Sequence, residues 1–116
     1  MPAPAEIEGL SAEALDGLPY GVILLDRNMV VKGYNRAESQ ESGLPMDRVV
    51  GRHFFDVVAP CANNPEFRGS VERVMRRGAG GSETFRYIYN AAGRRPRPVT
   101  ITVYGAMDGG AWIVAA

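Results

Sequence analysis

The sequence has few of the residues that metal sites and disulfide-linked proteins require, and it has no excess of either charge. It contains one cysteine and one histidine among 116 residues. A lone cysteine cannot form an internal disulfide, which favours a reducing, intracellular setting, and it provides no cysteine cluster for a metal. Thirteen basic residues balance thirteen acidic ones. No net field therefore favours nucleic acid or an anionic membrane as partner.

Long apolar runs are also missing. No stretch approaches the roughly 18 apolar residues of a membrane helix, and residues 1–9 lack the positive charge and apolar run of a secretory signal. We therefore expect a soluble, cytoplasmic protein, with a monomer as the default. A chain of this length, 46% hydrophobic, can bury one modest core, so we expect a single domain.

Five runs have the composition of β-strands. Residues 20–26 (YGVILLD) and 29–34 (MVVKGY) flank a turn and predict a hairpin. Residues 82–90 (SETFRYIYN) alternate large and polar side chains, and two more runs, 98–104 and 111–115, are separated by a turn at residues 108–110. Trp112 is expected in the core of the last strand.

Helical patterns are concentrated outside these runs. Ser11 is a suitable N-cap for a short helix that extends through Asp16. Residues 1–10 show no hydrophobic period, and we expect them to form a mobile leader. Residues 35–60 predict only short pieces. A longer helix is expected to begin at Asn63 or Asn64, to end at Gly78, and to bury one face. The residues of that face are Phe67, Val71, Val74 and Met75.

This order of elements predicts an α+β domain with one antiparallel sheet, because long helices do not alternate with strands as in a parallel sheet. It resembles the PAS fold, a five-stranded antiparallel sheet whose helices cover a ligand pocket. We divide the chain into a leader with a short helix, residues 1–17, and a PAS-like sensory domain, residues 18–116. A fold alone leaves the function open.

Three segments resemble the photoactive yellow protein family. They are residues 15–26 (LDGLPYGVILLD), 33–38 (GYNRAE) and 50–67 (VGRHFFDVVAPCANNPEF). The resemblance extends over about residues 15–114 and preserves the spacing between tyrosine and cysteine without an insertion. It implies a blue-light receptor that carries p-coumaric acid (4-hydroxycinnamic acid) as a covalent chromophore.

By this resemblance Cys61 forms the thioester with the chromophore, and its backbone amide binds the chromophore carbonyl. A thiolate is a good acyl acceptor, and the start of the long helix would favour it electrostatically. A lone cysteine is otherwise most often a buried small hydrophobic residue. The matching residues around Cys61 favour the attachment site instead.

The resemblance assigns the phenolic oxygen of the chromophore to Tyr34 and Glu38, with Ser42 supporting the tyrosine where the family has a threonine. Taken alone, Tyr34 would be a core aromatic residue and Glu38 a solvated carboxylate. A phenol titrates near about 10 in water, so a buried phenolate needs strong hydrogen-bond donors. Glu38 would then be protonated in the dark.

Other positions follow the family or depart from it. Ile23 and Phe54 match the pocket wall, and Tyr87 and Tyr89 match aromatic positions near the pocket, although ordinary sheet packing explains that pair equally well. Leu44 replaces an arginine that gates the pocket in well-known members, so any balancing cation must come from elsewhere. At Gly93 the family often has a methionine that helps return the chromophore to its dark isomer. Arg94 follows in the same loop and is expected near the pocket. We find no carboxylate partner for His53 and expect it to be structural or exposed.

The implied mechanism is trans–cis photoisomerisation, followed by proton transfer from Glu38 and opening of the pocket. Residues 1–17 would be released most easily because little apolar surface holds them. The alternative is a chromophore-free PAS module that binds another ligand or a protein. An enzyme with Cys61 as nucleophile is disfavoured because no base is evident. The sequence does not identify a downstream protein partner.

Overall fold

The computed structural model of the chain describes residues 4–89 and 95–116. Its strands are β1 (Gly21–Leu25), β2 (Val31–Tyr34), β3 (Ser82–Tyr89), β4 (Arg97–Gly105) and β5 (Ala111–Ala115). Its helices are α1 (Pro4–Glu8), α2 (Ala12–Asp16), α3 (Arg36–Ser42) and α4 (Phe67–Arg77). Shorter turns lie between α3 and α4: 3-10 turns at Met46–Arg48 and Pro60–Ala62, and a π-helical turn at Phe54–Val58.

The strands form one five-stranded sheet in the order β2-β1-β5-β4-β3. Every neighbouring pair is antiparallel. The chain builds the hairpin β1-β2 at one edge, crosses the sheet through α3 and α4, and returns with β3, β4 and β5. The predicted α+β class with one antiparallel sheet is therefore confirmed.

Helix α4 lies against the sheet through the face that its periodicity predicts. Phe67, Val71 and Val74 are buried, and Met75 packs against the same core. The regular helix is bounded at Phe67, but its hydrogen bonds begin at the predicted start: the Arg68 N–H donates to the Asn64 carbonyl at 3.0 Å and the Gly69 N–H to the Pro65 carbonyl at 3.1 Å. The Asn64 side chain caps this first turn by accepting a hydrogen bond from the Phe67 backbone N–H at 2.9 Å.

The two faces of the sheet bury different clusters, because successive side chains of a strand point to opposite sides. One face packs under α4 and contains the main core. The other face holds a smaller cluster that includes Trp112, 5% exposed as predicted for the core. This cluster consists of Ile7, Val22, Tyr104, Ala106, Trp112 and Val114, with Leu15, Leu18, Tyr20 and Leu24 packed around it.

The N-terminal residues differ from the sequence expectation. Helix α2 is capped by Ser11 as predicted, but part of the predicted leader forms α1, whose Ile7 is fully buried. The Glu8 carboxylate also accepts a hydrogen bond from the Met107 backbone N–H at 3.0 Å. The prediction that little apolar surface holds this segment is therefore wrong, because Ile7 anchors it in the core. A single isoleucine in so short a segment produces no periodic pattern that would indicate its burial.

Within the described ranges, no helix combines the length and the apolar character needed to cross a bilayer.

Candidate functional site

A cavity of about 380 Å³ opens between the sheet and the segments α3, Phe54–Val58 and Pro60–Ala62. Its lining is mostly apolar, with a few polar side chains, which is the usual composition of a small-molecule site. All nine residues predicted for the site line this one cavity: Ile23, Tyr34, Glu38, Ser42, Leu44, Phe54, Cys61, Tyr87 and Tyr89. The structure thus brings together positions that are far apart in the sequence.

Four of these residues form what we call the carboxyl cluster: Tyr34, Glu38, Ser42 and Tyr89. Its centre is Glu38, which is only 3% exposed. The Tyr89 hydroxyl donates a hydrogen bond to Glu38 Oε2 at 2.9 Å. Burial raises the pKa of Glu38 to about 7, although the Tyr89 hydrogen bond lowers it. This carboxyl group therefore holds its proton at far higher pH than an exposed glutamate does.

Tyr34 completes the cluster from the end of β2. Its hydroxyl is in hydrogen-bond contact with the Ser42 hydroxyl, the contact predicted from the sequence. Burial raises the pKa of Tyr34 to about 12, opposed by the Ser42 hydrogen bond. Burial likewise raises the pKa of Tyr89. Both phenols are therefore protonated at neutral pH, and the Tyr89 proton is the one donated to Glu38.

Asn35 positions the carboxyl cluster from behind. It caps α3, where its Oδ1 accepts a hydrogen bond from the Glu38 backbone N–H at 3.1 Å, and it also accepts from the Val22 N–H at 2.9 Å. Its amide nitrogen donates to the carbonyls of Leu15 at 2.8 Å and Tyr20 at 3.0 Å. One buried side chain thus connects α2, β1 and the helix that carries Glu38.

Gly21 provides the space for the Glu38 side chain. A Cβ atom built on this glycine would overlap Glu38 Oε1. Because Gly21 lies at the start of β1, beside α3, a larger residue there would displace the carboxyl group. The close approach of strand and helix therefore depends on glycine at this position.

The second polar part of the cavity is the cysteine site, which we define as Cys61 with Asn64 and Tyr87. Cys61 is exposed and lies in the turn Pro60–Ala62. Its backbone carbonyl accepts hydrogen bonds from the Tyr87 hydroxyl at 3.3 Å and from Asn64 Nδ2 at 3.4 Å. The exposure excludes the alternative of a buried hydrophobic cysteine. The helical hydrogen bonds of α4 begin at Asn64, three residues after Cys61, as the sequence predicted.

Strand β3 connects the two polar regions. Tyr87 and Tyr89 point to the same side of the strand, about 7 Å apart by the ordinary rise of a strand. The Tyr87 hydroxyl donates to the Cys61 carbonyl, and the Tyr89 hydroxyl donates to Glu38. The alternating pattern predicted one shared face for the two tyrosines, but it did not indicate their different hydrogen-bond partners.

Aromatic rings form much of the apolar wall between these regions. The rings of Phe67 and Tyr87 meet edge to face with centroids 5.1 Å apart, and Phe54 lies 5.9 Å from Phe67. Ile23 and Leu44 add aliphatic surface. Leu44 brings no charge to the cavity, as its departure from the family pattern implied.

Two further predictions have different outcomes. Asp56 Oδ2 lies 3.6 Å from His53 Nδ1, but this nitrogen is already used as a hydrogen-bond acceptor, which agrees with the structural role predicted for His53. That same Nδ1 accepts a hydrogen bond from the Asp56 backbone N–H at 3.1 Å, so His53 caps the adjoining turn. The predicted roles of Gly93 and Arg94 concern positions outside the described residues.

Among the residues that the structure describes, no group of three or more histidine, cysteine, aspartate or glutamate side chains is arranged to hold a metal ion.

Comparison with known proteins gives consistent results for sequence and structure. The family profile described as PAS fold matches residues 15–115. The chain is 31% identical to the photoactive yellow protein of Halochromatium salexigens over 108 residues, which cover 92% of this chain and 85% of that protein. It is 40% identical to the photoactive yellow protein of Rhodobacter capsulatus over 63 residues, which cover 54% of this chain and about half, 51%, of that relative.

The same family appears among solved structures. The photoactive yellow protein domain from the sensor histidine kinase Ppr of Rhodospirillum centenum superimposes with a TM-score of 0.87 at 32% identity. The match covers 98% of this chain and 99% of that domain. Fold, sequence and extent of the match thus agree, and the chain belongs to the photoactive yellow protein family.

Proposed function

We propose that the chain is a blue-light receptor that binds p-coumaric acid through a thioester on Cys61. The observation that carries this proposal is that an accessible thiol and a buried carboxyl group, whose pKa burial raises to about 7, face the same cavity. Neither feature alone would distinguish a receptor from an ordinary ligand-binding domain. Their combination provides an attachment point and a proton donor for one bound molecule.

The residues of the cavity fit this group. A flat aromatic acid requires a narrow apolar space, which Ile23, Phe54 and Phe67 provide. Its phenolic oxygen requires buried donors, for which we propose Tyr34 and Glu38: the Tyr34 phenol is protonated at neutral pH, and burial raises the pKa of Glu38 to about 7. Its acyl carbon requires a reachable nucleophile, and Cys61 is exposed. Reaction with an activated ester forms the bond from Sγ to the acyl carbon and releases the activating group.

Glu38 is the proposed proton donor. When bound, the p-coumaroyl group supplies absorption of blue light, trans–cis isomerisation and a phenolic oxygen able to accept a proton. Because burial raises its pKa to about 7, Glu38 retains a proton near neutral pH that a modest change in its surroundings can release. Tyr89, hydrogen-bonded to Oε2, stabilises the carboxylate that remains.

The proposed signal begins with that carboxylate. A charge on a side chain as buried as Glu38 is costly, so the protein lowers its free energy by admitting water to the carboxyl cluster. Asn35 caps the helix that carries Glu38 and also bonds to the Leu15 carbonyl in α2. Opening of the cluster would therefore strain the contact to the N-terminal segment, which is the part we propose to be released.

Several finer assignments belong to the same proposal. The protein would act as a receptor without turnover, as a cytoplasmic monomer that transmits its signal to an unidentified protein partner. His53 supports the absence of turnover, because its Nδ1 is engaged with the backbone N–H of Asp56 instead of serving as a free base.

The test is reconstitution of the purified chain with an activated p-coumaric acid ester, with Cys61→Ala as the matched control. We expect a mass increase of one acyl group and a visible band that bleaches under blue light and recovers in the dark, all absent from the variant. A stable adduct without light response would contradict the receptor function. Absence of any adduct would favour a chromophore-free PAS module, and repeated turnover of the ester would indicate an enzyme.

A further inference from the structure

We propose that the ion pair between Arg97 and Glu41 sets how readily Glu38 ionises, and that Arg97 acts as the counter-charge for the cavity. This role makes Arg97 and Glu41 positioning and tuning residues outside the cavity wall. The role of this ion pair in signalling rests on the proposed function. Its electrostatic effect on Glu38 involves only residues of the chain and is present without a bound chromophore.

The geometry places the pair beside the carboxyl cluster. Arg97 Nη2 lies 2.7 Å from Glu41 Oε2. Glu41 belongs to α3, one helical turn after Glu38, and Arg97 is the register partner of Tyr89 across β3 and β4. Tyr89 in turn donates its hydrogen bond to Glu38. Helix α3 and the β3-β4 pair are thus connected by a partly buried hydrogen bond and by an exposed ion pair.

The two charges of the pair act on Glu38 in opposite directions. The negative charge of Glu41 raises the pKa of Glu38, and the positive charge of Arg97 lowers it. As long as the pair is formed, the effect of Arg97 on the pKa of Glu38 opposes that of Glu41. Removal of one partner leaves the other charge uncompensated, so the two single variants must change Glu38 in opposite directions.

Within residues 4–89 and 95–116, Glu41 and Arg97 are the charged side chains that shift the pKa of Glu38. From β2 and β3 come Tyr34 and Tyr89, which are protonated phenols at neutral pH. From α2, the Asp16 carboxylate is engaged with the Arg36 backbone N–H at 2.8 Å, at the start of α3. Leu44 lines the cavity without a charge.

Because both side chains of the ion pair are exposed, the pair can separate at little cost. The side chains of Arg97 and Glu41 are 53% and 41% exposed, and ion pairs exposed to this degree contribute little to stability. Arg97 can therefore leave Glu41 at small cost once a charge forms on Glu38, which is buried and less screened by solvent. In a light-driven cycle this would favour the state in which Glu38 has lost its proton.

The experiment measures the titration of Glu38 in the chromophore-free protein, by the infrared carboxyl band that Glu38→Gln removes. Arg97→Gln should increase the proton affinity of Glu38 by about two- to fivefold, and Glu41→Gln should decrease it by a similar factor. Arg97→Lys retains the charge and should stay near the wild-type value. Added salt should reduce both changes.

Arg73→Gln is the matched control, since Arg73 in α4 forms a comparable ion pair at 2.8 Å with Glu83 in β3. We expect no change of the Glu38 titration in this variant. Shifts of the same sign in Arg97→Gln and Glu41→Gln, or shifts no larger than that of the control, would overturn the inference. Failure to form an adduct with activated p-coumarate would instead overturn the proposed function and leave this titration unaffected.

Discussion

The carboxyl cluster and the cysteine site serve the same cavity, yet they are built in opposite ways. Glu38 and its cap Asn35 are almost fully buried in and before a regular helix, whereas Cys61 is exposed in a short turn. The hydrogen bonds that position Glu38 are 2.9–3.1 Å long, and those to the Cys61 carbonyl are 3.3 and 3.4 Å. One region is tightly held and dry, and the other is accessible.

The difference follows from the chemistry proposed for each region. A carboxyl group keeps its proton near neutral pH only where water cannot stabilise its charge, so Glu38 must be buried. A nucleophile must be reached by an incoming acyl group, so Cys61 must be exposed. The following predictions test this contrast in the chromophore-free protein.

The largest effect is expected from Glu38→Gln on the pH dependence of stability. Folding raises the pKa of Glu38 from 4.5 to about 7. Between these two pH values the folded chain keeps the Glu38 proton, whereas the unfolded chain has released it. The stabilisation is fully present below pH 4.5 and is lost as pH rises through 7. A difference of about 2.5 pH units corresponds to about 3 kcal/mol.

Urea unfolding of the wild type and Glu38→Gln at pH 5 and pH 8 measures this effect. The wild type should lose more of its unfolding free energy than the variant between the two pH values. Glu66→Gln, which alters an exposed glutamate close to the cysteine site, should behave as the wild type does. Equal pH dependence in wild type and Glu38→Gln would show that Glu38 is not a buried, protonated group.

A smaller effect should separate the two asparagine caps. Asn35→Ala removes a buried side chain with four hydrogen bonds, and we expect a loss of about 2–3 kcal/mol in the unfolding free energy. Asn64→Ala removes a half-buried cap of the turn that leads into α4, with an expected loss of about 1 kcal/mol. Urea titration at one pH compares them, and equal losses would contradict the difference in rigidity.

The smallest effect concerns the two tyrosine hydroxyls of β3. Tyr89→Phe removes the hydrogen bond that lowers the pKa of Glu38, so the titration of Glu38 should move to higher pH. Tyr87→Phe removes the donor to the Cys61 carbonyl and should leave that titration unchanged. Each variant should lose about 1 kcal/mol or less in stability. A shift of Glu38 in both variants would show that the two regions are electrostatically coupled.

Much of the secondary structure could be predicted from the sequence because it depends on local signals. Alternating side chains indicate β3, Ser11 caps α2, and Gly78 ends α4 with a positive φ of 78°. The start of α4 follows local signals as well, since Asn64 caps the first turn and the Pro65 carbonyl accepts a helical hydrogen bond from the Gly69 N–H. The burial of Ile7 was missed because a single apolar residue in a short segment shows no periodicity.

The sequence by itself determined the antiparallel α+β fold and, through its resemblance to a known family, the set of residues that line the cavity. Only the tertiary structure decided which of them contact one another: that Tyr89 bonds to Glu38, that Tyr87 bonds to the Cys61 carbonyl, and that Arg97 meets Glu41. These contacts join residues from distant parts of the chain. Burial and hydrogen-bond geometry set the pKa of Glu38, and both arise only when the helix, the strands and the turn pack around one cavity.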